Sequence, residues 1–156
     1  MPRIEVATVI HAPAEICFDL ARDVDLHVKS TSGTNERAIG GVTAGLMNLG
    51  DEVTWEATHL GVTQRLTSRI TALDRPRGFR DSQVRGPFAR FDHDHLFKRE
   101  EGATVMVDVF DYTSPLWFIG RFADLVFLRR YLERFLRARA RVIKDTAEQT
   151  YGFGGN

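Results

Sequence analysis

The chain has one cysteine, Cys17, in 156 residues, so no internal disulfide is available to staple it. Cys17 falls in an apolar helical stretch, which reads as a buried structural thiol. No apolar run reaches the roughly 18 residues that a membrane-spanning helix needs. The N-terminal "MPRIEVATVI" lacks an apolar core followed by a small-residue cleavage site, so a cytoplasmic protein is the default expectation. Excess charge is also missing. Lysine plus arginine number 21, as do aspartate plus glutamate. A general electrostatic pull on nucleic acid or on an anionic membrane is therefore not expected. No GxxxxGK[ST] or GxGxxG loop and no GxSxG elbow occurs, and the glycine-rich "YGFGGN" has no helix after it to cradle a phosphate.

Aromatic apolar residues are abundant, with 11 phenylalanines and a hydrophobic share of 43%. The length suits one domain, expected over residues 1–150 with a frayed tail at 151–156. In "RIEVATVIHAP", Ile4, Val6, Thr8 and Ile10 alternate onto one face of a strand that ends at Pro13. "PAEICFDLARDV" reads as a helix with Ile16, Leu20 and Val24 on one side, and "DLHVKSTSGT" as a second short helix. From Glu36 the period becomes two. Val53, Trp55, Ala57 and His59 share one face, as do Val62, Leu66, Ser68 and Ile70 in the next run, with Gly61 at the turn between them. "GFRDSQV", "FARFDHDHLFKR" and "ATVMVDVFDY" supply three more strands. Alternation of this kind marks antiparallel sheet with one wet face.

From about Phe118 to Thr150 the period is helical. Leu125, Leu128, Leu132, Phe135, Val142 and Ile143 lie on one arc, with Arg130, Arg134, Arg137 and Arg141 opposite. The basic stretch "RRYLERFLRARAR" therefore reads as a solvated helix face interrupted by Glu133, not as a nucleic-acid stripe. Arg139 is the anomaly, near the centre of the apolar arc. At about 1.5 Å per residue it stands roughly 30 Å from the helix start, which suggests distance from Asp108 and either a snorkelling side chain or an ion pair with the opening segments. The fold class is α+β. A curved antiparallel sheet of about seven strands wraps one long C-terminal helix, and two short helices follow the first strand.

This order, and the stretches "APAEICFDLARD" (12–23), "GDEVTWEATHLG" (50–61), "GPFARFDHDHLF" (86–97) and "DVFDYTSP" (108–115), resemble the START-like or SRPBCC superfamily. They are most similar to its small bacterial polyketide cyclase/dehydrase-like members. The resemblance implies the helix-grip fold and a cavity for a hydrophobic or amphipathic small molecule. It implies no reaction, since the fold hosts binders and enzymes alike.

"RFDHDHLF" holds the densest chemistry. Strand periodicity puts Phe91, His93, His95 and Phe97 on the inner face. Phe97 paired with Thr104 would set His95 beside Met106, His93 beside Asp108 and Phe91 beside Phe110, a register favoured because it stacks aromatics and places a carboxylate by an imidazole. His93 with Asp108 is then a candidate acid–base pair, suited to removing a proton next to a carbonyl in a cyclase or dehydratase. The blander reading is a buried histidine satisfied by its neighbour. Trp55, His59, Asp81, Phe91, His93, His95, Phe97, Asp108, Phe110 and Tyr112 form the expected ligand lining, with Gly86 to Arg90 and Ser114 to Phe118 as the gate. A metal would need ligands beyond His-x-His, from His59 or Asp108, and that spacing alone nominates none; no cofactor is expected. The alternatives to ligand binding are that enzyme, or a partner-binding, homodimeric domain with an exposed aromatic edge.

Overall fold

The computed structural model describes residues 2–114 and 127–154. The gate residues from position 115 onward, and Leu125, lie outside the described residues. Seven strands form one sheet: β1 (Arg3–Ile10), β2 (Arg37–Gly41), β3 (Glu52–His59), β4 (Val62–Asp74), β5 (Gly78–Arg85), β6 (Arg90–Glu100) and β7 (Ala103–Thr113). Their order is β1-β7-β6-β5-β4-β3-β2, and all neighbours run antiparallel. Strands β2 to β7 are a meander. Helices α1 (Ala14–Ala21) and α2 (Val24–Ser30), with a 3-10 turn at Ser32–Thr34, carry the chain from edge strand β1 to the opposite edge. The long helix α3 spans Arg129–Gly154. It thus runs past Thr150, where the tail was expected to begin.

Local chemistry accounts for these boundaries. Asp23 caps α2 by accepting from the N–H groups of Asp25 and Leu26 at 2.9 and 3.3 Å. The β3–β4 hairpin turns on Leu60 and Gly61, whose φ values of 54° and 78° are the left-handed pair of a tight two-residue hairpin. Register shifts on β4, between Thr67 and Ser68 and between Ile70 and Ala72, add local twist of the kind that curls a sheet.

Two points of packing depart from the sequence reading. Helix α1 buries Ala14, Cys17, Phe18 and Ala21, one position on from the expected Ile16 and Leu20 stripe, which is only partly covered. Phe18 is the cause. It meets Phe79 and Phe97 edge-on at 5.4 and 5.5 Å, and so sets the rotation of the helix. The second departure is the β6–β7 register. Phe97 pairs with Met106, His95 with Asp108, His93 with Phe110 and Phe91 with Tyr112, two residues from the expected match. Gly102, with φ 68°, decides it: the turn must contain the glycine, so Glu100 pairs with Ala103. A two-residue slip keeps every side chain on its expected face.

Helix α3 packs mainly on β1, α1 and α2. Its later turns bury Ala140, Ile143 and Ala147 in the core shared with α1. Lys144 ties this half to β1 by donating to the Val9 carbonyl at 2.8 Å. The arginines Arg130, Arg134, Arg137 and Arg141 are exposed, as their arc required. The earlier turns, through Tyr131, Leu132 and Phe135, carry large side chains that are only half-buried. They stand over the middle of the sheet instead of sinking into it.

Candidate functional site

A cavity of about 360 Å³ lies under those early turns. Its walls are largely apolar: Val53, Trp55, Ala57, Leu66 and Ile70 from β3 and β4, Phe91 and Phe110 from β6 and β7, and Leu132, Phe135 and Leu136 from α3. Leu60 and Val62, both more than half exposed, line it at the β3–β4 hairpin and mark its outer rim. Pro87 and Phe88 of the expected gate also line it, and Gln83 pins that loop by exchanging hydrogen bonds with the Phe88 backbone at 2.7 and 3.2 Å.

One wall is polar. Strand pairing sets Asp81 opposite His93 and Asp108 opposite His95, yet each carboxylate reaches diagonally. His95 Nε2 lies 2.7 Å from Asp81 Oδ1, and His93 Nε2 lies 3.0 Å from Asp108 Oδ1. His95 Nδ1 sits 3.2 Å from Asp108 Oδ1, an ionic contact without hydrogen-bond alignment. His93, His95 and Asp108 are buried, at 7%, 2% and 1% exposure. Phe79 stacks on the His95 ring at 4.1 Å and fixes its plane.

Arg139 completes this wall, and here the expected distance was wrong. Its Nη1 is 3.6 Å from Asp108 Oδ1, its Nη2 donates to the Ala21 carbonyl at 2.7 Å, and its Nε donates to His27 Nδ1 at 3.3 Å. Helix length was counted forward from the strand end, but Asp108 lies mid-strand and α3 runs back across it. Neither fate considered occurs as expected: the side chain does not snorkel, and its ionic partner is Asp108 of β7, with the opening helices α1 and α2 supplying only the Ala21 carbonyl and the His27 ring nitrogen. His27 in turn contacts Glu36 Oε1 at 2.6 Å and lies against Trp55 at 4.2 Å. A buried polar seam thus crosses the cavity floor, from Glu36 through His27, Arg139 and Asp108 to the two histidines and Asp81.

Burial and partners pull the protonation states apart. Burial alone would raise the Asp108 carboxyl, but the hydrogen bond from His93 and the close contact with His95 hold it far below the ordinary carboxylate range. Burial pushes the His93 imidazole down, and the neighbouring His95 adds to this against the pull of Asp108 and Asp81. Burial also works against the His95 cation, yet the carboxylates at both its ring nitrogens raise it overall. His59 stands apart, at the other end of the cavity. Its Nδ1 is 2.6 Å from the Tyr131 hydroxyl, and burial lowers it.

Seven of the ten residues expected to line a ligand site do line the cavity: Trp55, His59, Asp81, Phe91, His93, His95 and Phe110. Asp108 lies behind the histidines. Phe97 packs against Phe18 and Phe79 beneath α1, and Tyr112 packs with Phe88 and Phe110. His27, Glu36, Tyr131 and Arg139 were missed as site residues. Only Arg139 left a trace in the sequence, as a charge on an apolar arc. The described residues also bring together a metal-ligating set that spacing did not assemble. Asp81, His93 and His95 offer donor atoms within 4.8 Å of one another. The carboxylate comes from β5, and neither His59 nor Asp108, the further ligands considered from spacing, belongs to the set.

No family model and no curated protein matches the chain. Solved structures do. The protein TTHA0849 from Thermus thermophilus superposes with a TM-score of 0.73 at 17% identity, covering 94% of this chain and 99% of that one. A START superfamily protein from Mycobacterium smegmatis gives 0.70 at 10% identity over 95% and 98%. The major latex-like protein 151 of Panax ginseng gives 0.68 at 16% identity over 94% and 97%. At these identities the likeness is one of fold. Among the described residues no helix is long and apolar enough to cross a membrane.

Proposed function

From a START-like helix-grip fold whose long helix stands off the middle of the sheet, we propose that the protein binds an amphipathic small molecule. Its apolar body would lie between Trp55, Leu66 and Phe135, and its polar end would meet Asp81, His93 and Arg139. The supporting observation is the combination of a cavity of about 360 Å³, inside the usual range for small-molecule sites, with apolar walls and one buried polar wall. The exposed Leu60 and Val62 belong to the rim of that cavity, which accounts for apolar surface otherwise attributable to a protein partner. A cytoplasmic location and a homodimer belong to the same proposal and rest on the sequence reading alone.

Binding of 1-anilinonaphthalene-8-sulfonate, with native mass spectrometry of the protein as purified, tests this. The wild type should bind one probe per chain. Ala57→Phe, which fills the cavity from β3, should abolish binding at unchanged secondary structure. Equal probe binding by both proteins would refute the cavity as the site.

One observation favours catalysis as a second reading. With Nε2 donating to the Asp108 carboxylate, His93 keeps its Nδ1, 3.8 Å from Asp81 Oδ1, as a lone pair, the tautomer a general base requires. A cyclase or dehydratase would then lose turnover in His93→Gln well beyond any loss of guest affinity.

A further inference from the structure

The polar wall has features that guest binding does not call for. His93 and His95 point the same way from one strand, and Asp81 on the adjoining strand reaches the space between them. Its Oδ1 is 2.7 Å from His95 Nε2 and 3.8 Å from His93 Nδ1. Donor atoms about 2.0–2.2 Å from a shared ion would be about 2.8–3.6 Å apart at octahedral or tetrahedral angles. The two separations from Asp81 bracket that range, and all three donor atoms lie within 4.8 Å of one another.

The nitrogens on the far side of both rings face Asp108, at 3.0 Å from His93 and 3.2 Å from His95. A carboxylate behind the ligating imidazoles is the arrangement that fixes their tautomer and orientation in metal sites. Charge points the same way. Along the seam three buried or half-buried carboxylates, Asp81, Asp108 and Glu36, share one guanidinium, Arg139, which Glu36 reaches only through His27. A divalent cation would offset the excess of negative charge that remains when both imidazoles are neutral.

We propose that Asp81, His93 and His95 form a binding site for one divalent first-row transition-metal ion, with its remaining coordination positions open to the cavity. Two imidazoles and one carboxylate are a borderline donor set, suited to zinc, ferrous iron or cobalt and poorly suited to magnesium or calcium. Asp108 is the positioning residue behind both rings. The open positions face the space assigned to the guest's polar end, but the site does not depend on a guest.

Untagged full-length protein, stripped with chelator, should take up one equivalent of Co²⁺ with visible d–d absorption. Zn²⁺ should displace it, and millimolar Mg²⁺ or Ca²⁺ should not. Anaerobic competition with Fe²⁺ then ranks iron against zinc. Asp81→Asn and His93→Gln should weaken cobalt binding by more than about 100-fold, and Asp108→Asn by about 10–100-fold as an outer-shell change. Should His93→Gln fail to fold, the imidazole ¹H–¹⁵N spectrum of the wild type serves instead, and zinc must shift the His93 and His95 ring signals. Absence of stoichiometric uptake, displacement by Mg²⁺, undiminished binding in Asp81→Asn, or unmoved ring signals would each overturn the site. Ala57→Phe separates the two proposals, since it should block the fluorescent probe while leaving cobalt uptake intact.

Discussion

The Arg139–Asp108 contact joins the long helix to the sheet at the cavity floor, and its strength can be worked out. Across 3.6 Å the attraction is about 4–5 kcal/mol at an effective dielectric of about 20. Much of this offsets the desolvation of two charges that are 5% and 1% exposed. Asp108→Asn keeps the shape and removes the charge, leaving Arg139 and His95 buried with a weaker partner. The expected loss is about 3–5 kcal/mol. With a urea slope of about 2 kcal/mol per molar, that lowers the midpoint by about 2 M. Arg139→Met should also destabilise, since it removes the bond to the Ala21 carbonyl as well. The two losses should not add. Once either charge is gone the other is already uncompensated, so the double variant should recover about 2 kcal/mol relative to the sum. The assay is urea unfolding followed by far-UV circular dichroism with EDTA present, so that no bound ion contributes. Additivity within about 0.5 kcal/mol at equal slopes would refute the pairing.

Other consequences are simpler. Burial raises the Cys17 thiol from its ordinary 9.0 to about 11. The folded state therefore holds that proton more tightly. Its stabilising contribution is complete below about pH 9 and is lost as pH rises toward about 11, so unfolding midpoints should fall over that window, less so in Cys17→Ala. Ellman's reagent should label Cys17 at pH 8 only after unfolding, and rapid labelling of the native protein would contradict the burial. Gly41, with φ 69°, pairs with Val53 near the start of β3, and a Cβ there would overlap the Glu52 carbonyl. Gly41→Ala should lower the melting temperature through strain in β2; a neutral result by calorimetry would mean that the edge strand shifts to accept it.

Several features were legible because they depend on periodicity. The inner faces of β3 and β4 and the wet arginine face of α3 follow from side-chain direction along a strand or helix. The histidine face of β6 was legible for the same reason. It survived a register error because a shift of two restores the same face. The partner across the hairpin was not legible. Aromatic pairing and the His–Asp match argued for one register, and a glycine with positive φ imposed another. The α1 stripe failed for a related reason: two apolar stripes lie close together on a short helix, and contact of Phe18 with Phe79 and Phe97 chose between them.

Local alternation and helical period determined the element order, the fold class and which faces turn inward, because those depend on backbone geometry that each segment carries alone. The polar wall was settled by assembly. Asp81, His93, His95, Asp108, His27 and Arg139 come from five separate elements, and their meeting depends on strand register, on diagonal reach across the pleat and on the line along which α3 returns over the sheet. Those quantities are set by the packing of the whole domain, which is why a charge that looked stray on the helix became the nearest guanidinium to the buried carboxylate.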